Sequence, residues 1–152
     1  MAELKTELLY EMSVDLEDAQ EIGATPHGVR RIYYVKGGTF EGPKAKGQVL
    51  PGGGDWLLLR PDGAGELDVR ATARTDDGHL IYAYYRGIIQ ASPEVAQRMI
   101  RGETVDPSEY YFRTTPVYET GSEKYGWLNR IVAVAVGRIK PNWVGYTVYA
   151  IC

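Results

Sequence analysis

The chain reads as an all-β protein, a single antiparallel β-barrel over residues 1–152 with one short α-helix. Three observations predict this. Runs of about four to ten residues alternate apolar and polar side chains with the period of a strand. The 18 Gly and 8 Pro fall between those runs as turn punctuation. One segment alone carries a helix start and stop, and no internal repeat or low-complexity linker interrupts the series. Closure into a barrel is favoured over an open sandwich. Long strands with few edge prolines must hide their unpaired backbone groups, and a closed sheet does so completely.

The elements follow in order. Residues 4–14 place Leu4, Leu8, Tyr10, Met12 and Val14 on one face and Lys5, Glu7, Glu11 and Ser13 on the other, a half-exposed strand. An acidic loop is expected over residues 15–28, then a strand over 30–36 ending in a Gly37-Gly38 turn. Short strands at 48–50 and 56–60 flank Pro51-Gly52-Gly53-Gly54-Asp55, and Pro61-Asp62-Gly63 suits a turn needing fixed and then positive φ. Residues 66–74 alternate sharply, Leu67, Val69, Ala71 and Ala73 against Asp68, Arg70, Thr72 and Arg74. Thr75-Asp76-Asp77-Gly78 is turn chemistry leading to a strand at 80–89. Ser92-Pro93-Glu94 caps and opens a helix that Gly102 closes. Strands over 110–118, 127–139 and 143–151 complete the chain.

Composition excludes several classes. Seventeen basic against twenty acidic residues give a net charge of −3 with no clustered Lys/Arg run, so no nucleic-acid partner is expected. No stretch approaches the roughly 20 apolar residues of a spanning helix, and no signal-like segment opens the chain. With the single Cys152 excluding an intrachain disulfide, the expectation is a cytoplasmic protein with no membrane partner. His27 and His79 lack ligand spacing and Asp76-Asp77 does not match a cation loop, so neither metal nor cofactor is expected. Twelve Tyr against 2 Phe give an aromatic surface rich in hydroxyls, suited to a partly wet lining.

The segments Gly37-Gly38-Thr39-Phe40-Glu41-Gly42-Pro43, Gly47-Gln48-Val49-Leu50-Pro51-Gly52-Gly53-Gly54-Asp55-Trp56, Arg74-Thr75-Asp76-Asp77-Gly78 and Tyr125-Gly126-Trp127-Leu128-Asn129 recur in one order. So do Asp68-Val69-Arg70, Tyr111-Phe112-Arg113 and Pro116-Val117-Tyr118-Glu119-Thr120. On these, over nearly its whole length, the chain resembles the domain of unknown function 3237 family. Tyr118 stands where that pattern has phenylalanine, and His79 where a small residue is usual. The resemblance implies an antiparallel barrel of lipocalin or allene-oxide-cyclase appearance and a homo-oligomer. It brings no settled activity.

The residues suggest a polar pocket in that barrel. Asp55 and Trp56 follow three glycines, where backbone can approach a ligand closely; the alternative is a bulge with Asp55 bonding local amides. A phosphate loop is rejected, since no helix N-terminus or Lys-Ser/Thr pair follows. Asp68 and Arg70 share a face and, if inward, could grip a carboxylate or enolate; if outward they are a surface pair. Tyr82 and Tyr84 oppose Tyr85, so one face or the other sends a phenol inward. Arg113 and Glu119 share a face, as do Trp127, Asn129, Ala133 and Ala135, whose small alanines would leave a void; the alternative is that Glu119 and Arg113 pair across the sheet and Asn129 satisfies a turn.

The expectation is therefore a barrel binding a small apolar or aromatic carbonyl or hydroxyl compound, acting as a cofactor-independent isomerase, cyclase, lyase or hydratase. Asp55 or Glu119 would be the base, Arg70, Arg113 and Asn129 the electrophilic groups, and Trp56, Asp68, Tyr82, Tyr84 and Trp127 the substrate-binding walls. The alternatives are a non-catalytic carrier or sensor of hydrophobic metabolites, and a structural subunit whose polar groups only fix turns.

Overall fold

Eight strands close on themselves into an antiparallel barrel in the computed structural model, which describes Met1–Cys152. The strands are β1 (Thr6–Leu16), β2 (Gln20–Thr25), β3 (Gly28–Glu41), β4 (Lys46–Val49), β5 (Gly54–Leu59) and β6 (Gly65–Thr75), followed by β7 (Leu80–Ala91). The helix α1 (Pro93–Ile100) precedes β8 (Tyr110–Thr114), β9 (Val117–Glu119), β10 (Val132–Lys140) and β11 (Trp143–Ile151). The ring runs β1, β3, β5, β6, β7, β8, β10, β11 and back to β1. In line with β5, β4 bridges β3 to β6, while β2 and β9 lie beside β3 and β7.

Four local expectations change. Residues 15–28 are not one loop, because Gln20–Thr25 pairs back onto the start of β3 as a hairpin. Gly37-Gly38 is not a turn. Chain passes straight through as β3, and Gly38 is needed because a Cβ there would sit 2.1 Å from the carbonyl oxygen of Ser13 on β1. Tyr110 to Tyr118 divides at Thr115-Pro116, where the ring nitrogen has no N–H to give the ladder. Residues 126–130 form a 3₁₀ turn in place of a strand, so β10 begins only at Val132.

Closure decides which face is inside. On β6 the apolar set, with Leu67 and Val69 buried, faces the lumen, and the charged set faces solvent. Phe112 and Tyr146 fill the centre, their rings edge to face at 5.5 Å. Ala133, Ala135 and Gly137 on β10 make room for them, so the void expected beside the alanines is occupied by aromatic rings. Empty space lies instead at the two ends of the barrel.

Candidate functional site

One end opens into a cavity of about 300 Å³ with Asp55 in its wall. Leu57, Leu67, Phe112 and Val144 make most of that wall apolar, while Arg31, Tyr33 and Tyr146 join Asp55 among its polar groups, with Glu103, Lys140 and Asn142 also on the lining. Met99, Ile100 and Trp143 stand at its mouth, brought there by the end of α1 and the start of β11. Ser92 accepts from the Val95 N–H at 3.2 Å to start α1, as its sequence predicts.

Asp55 is placed by an opening in the sheet. Pairing of β5 with β6 runs through Gly54↔Arg70 and Asp55↔Val69 and resumes at Leu58↔Glu66. In the gap the Asp68 N–H, freed from the ladder, donates to Oδ1 of Asp55 at 3.1 Å. The Trp56 carbonyl, also freed, accepts from the Arg30 guanidinium at 2.8 Å. Both orphaned backbone groups thus find partners. Burial pushes the Asp55 carboxyl up to about 7; the Asp68 N–H and the Arg30 charge pull it down, and the Asp68 carboxylate adds to the rise.

Tyr33 lies directly across the β3–β5 ladder from Asp55, and burial raises its phenol above the ordinary range. Arg31 is anchored by Glu21 on β2, whose carboxylate takes Nε at 2.8 and 2.9 Å and Nη2 at 2.7 Å. A guanidinium so held presents fixed positive charge at the cavity. Deeper in, Tyr146 stacks edge to face with Tyr85 at 5.3 Å, and burial drives both phenols well up. Such a site holds one buried carboxyl poised to take or give a proton near neutrality, with neutral phenols and Arg31 around it and Glu103 and Lys140 on the same lining.

Of the residues singled out from the sequence, Asp55 is placed in this cavity and the others are not. Trp56 points outward, its ring edge-on to Tyr34 at 6.1 Å. Asp68 and Arg70 are an exposed pair at 3.4 Å, since the apolar side of β6 took the lumen. Arg70 lies over the Tyr84 ring at 4.6 Å, so Tyr84, and Tyr82 two residues before it, are also outside; the inward tyrosine is Tyr85. Arg113 is exposed over Tyr111, and Glu119 is exposed because Tyr118 between β9 neighbours turns inward. Asn129 clamps a loop, accepting from the Thr120 N–H at 2.8 Å and donating to its carbonyl at 2.9 Å. Trp127 lines the cavity at the opposite end. Asp77 is a turn and loop anchor, bonded to Lys124 and, at 2.9 Å, to the Tyr125 hydroxyl.

Arg31, Tyr33 and Tyr146 were missed. Their signal was available only indirectly. Once Asp55 is taken as inward, the antiparallel pairing places Tyr33 beside it, but that pairing is not written in either strand alone.

Comparison with known proteins adds relatives. A conserved protein of unknown function from Rhodopseudomonas palustris superposes with TM-score 0.96 at 34% identity, over 100% of both chains. A beta-barrel like protein from Acinetobacter baumannii gives TM-score 0.87 at 38% identity, covering 100% of this chain and 98% of that one. An enzyme from Penicillium herquei shares the fold at TM-score 0.74 and 19% identity, over 100% and 97% of the two chains. No helix here is long and apolar enough to cross a membrane. The family model described as "Protein of unknown function (DUF3237)" matches residues 4–151, and the chain belongs to that family.

Proposed function

We propose that the Asp55 cavity binds a small, largely apolar or aromatic molecule carrying a carbonyl or hydroxyl and moves a proton on it without a cofactor. One observation carries this reading: a carboxyl pushed up to about 7 inside an apolar hollow open to solvent. Near neutral pH such a group is divided between acid and base, so it can both take a proton and return it.

In the reaction the Asp55 carboxylate removes a proton from the carbon beside a carbonyl, or from a hydroxyl. Negative charge then gathers on the substrate oxygen, where the Arg31 guanidinium and the Tyr33 hydroxyl supply stabilisation. The protonated carboxyl returns the proton to another atom. Isomerisation, cyclisation, and addition or elimination of water or an alcohol all follow from these two transfers. That the same fold serves as an enzyme in Penicillium herquei makes the scaffold compatible with catalysis. Leu8 and Val132, 41% and 66% exposed on the barrel's outer surface, support assembly into a homo-oligomer, and a cytoplasmic setting fits the lone Cys152.

The test is proton exchange. 2-Indanone in D2O should gain deuterium beside its carbonyl faster with the protein than in buffer, with an inflection near pH 7. Asp55→Asn should abolish the gain. Binding of 2-indanone with no exchange above buffer supports the carrier reading and rejects the enzyme.

A further inference from the structure

The opposite end of the barrel holds a second cavity, of about 50 Å³, which takes no part in the reaction at Asp55. Its space comes from small residues: Ala71 and Ala83 face one another across the β6–β7 ladder, with Ala73 next in line. Fourteen of its 16 lining residues are hydrophobic, and no Asp, Glu or His is among them. The cation at its rim, Lys44, is already engaged, 5.1 Å over the Trp127 ring and 3.3 Å from Glu7.

Into this apolar space project Tyr10 and Tyr118, whose hydroxyls bond one another at 2.5 Å. Two phenols carry two protons. One lies in the mutual bond, and within the chain neither hydroxyl makes any other hydrogen bond, so the second proton has no protein acceptor. A donor left unspent in apolar surroundings costs free energy that an incoming acceptor recovers.

We propose that this cavity is a second binding site, for a compact uncharged molecule or the end of a longer one, whose carbonyl or ether oxygen accepts the spare proton of the Tyr10–Tyr118 pair. A hydrocarbon fills the space but leaves the proton unpaired, and a carboxylate or ammonium meets no counter-charge inside. The site binds without chemistry: burial pushes the Tyr10 phenol up to about 12, far from any role in proton transfer at neutral pH.

Acetone labelled with ¹³C at the carbonyl is the probe, read by its own resonance and by backbone amide shifts. The bound carbonyl signal should lie upfield of acetone in water but downfield of acetone in hydrocarbon, as one remaining donor dictates, and the amides of Ala71, Ala83 and Tyr118 should shift saturably. The double substitution Tyr10→Phe/Tyr118→Phe keeps the shape, removes both hydroxyls, and should weaken binding about tenfold or more while moving any residual bound carbonyl signal further upfield, to its hydrocarbon position. Ala83→Leu, which fills the space, should abolish binding with the fold intact by thermal melt. Asp55→Asn should leave all of this unchanged, which separates the site from the catalytic reading. Shifts centred on Asp55 and Tyr33, undiminished binding in Ala83→Leu, or no saturable shift because water already takes the proton would each overturn the proposal.

Discussion

The backbone N–H of Asp68 donates to Oδ1 of Asp55 across 3.1 Å, in the gap where the β5–β6 ladder is interrupted. The bond uses a donor that the opened sheet would otherwise leave orphaned, and it aims the carboxyl at the cavity. A single neutral donor and the distant Arg30 charge do not offset the burial, so the proton stays on to about pH 7.

Stability should therefore fall as pH rises through the window from about 4 to 7. The folded state holds the Asp55 proton more tightly than the unfolded chain. Below the unfolded value both carry it and the proton-linked stabilisation is whole; above about 7 the folded state must bury a charge and that stabilisation is gone. The loss is at most about 4 kcal/mol from a shift of this size. Urea unfolding at about pH 5 and about pH 8 should show it, and Asp55→Asn should flatten the difference. Asp62, lowered to about 2 by Arg60, acts with the opposite sign and below this window.

Gly137→Ala should destabilise the barrel centre. A Cβ there meets the Phe112 ring at 2.6 Å, and Phe112 is 1% exposed with nowhere to move. Overpacking of this kind costs about 1–3 kcal/mol. A lowered melting temperature, partly restored by adding Phe112→Leu, is the expected result; an unshifted melt would show the ring relaxing freely.

Asn129→Ala should behave as a structural change. It removes both hydrogen bonds to Thr120, at about 1 kcal/mol in urea unfolding for this exposed pair. Deuterium exchange at Asp55 should remain within about twofold of the parent, since Asn129 does not touch that cavity.

The arginines should divide by location. Arg70→Ala and Arg113→Ala remove exposed contacts, so each should change stability by less than about 1 kcal/mol and leave exchange intact. Arg31→Gln takes the fixed charge from the cavity and should slow exchange tenfold or more, by about the weight of one oxyanion-stabilising group. If Arg31→Gln exchanges like the parent while Arg70→Ala does not, the roles assigned to the inner and outer arginines are reversed.

Much of the architecture was legible residue by residue. The period-2 runs gave the antiparallel strands, Ser92-Pro93-Glu94 gave α1, and the 75–78 turn closes with the Gly78 N–H on the Thr75 carbonyl at 2.9 Å. The Gly37-Gly38 pair misled because glycine serves both turns and close approach, and only the neighbouring strand reveals which. Residues 127–130 misled because a 3₁₀ turn and a strand start carry similar aromatic and amide residues.

What the amino-acid order determined alone was the class of fold, the turns, the helix cap and the candidacy of Asp55, since each rests on periodicity or on the conformational preference of a few adjacent residues. Tertiary closure decided the rest: which side of each strand lines the lumen, that Arg70, Arg113 and Glu119 stay in water, and that Tyr33 and Arg31 line one cavity with Asp55. Alternation within a strand is unchanged when the strand is turned over. The choice of face is made only when neighbouring strands together bury their apolar sides and leave the charges, costly to dehydrate, outside.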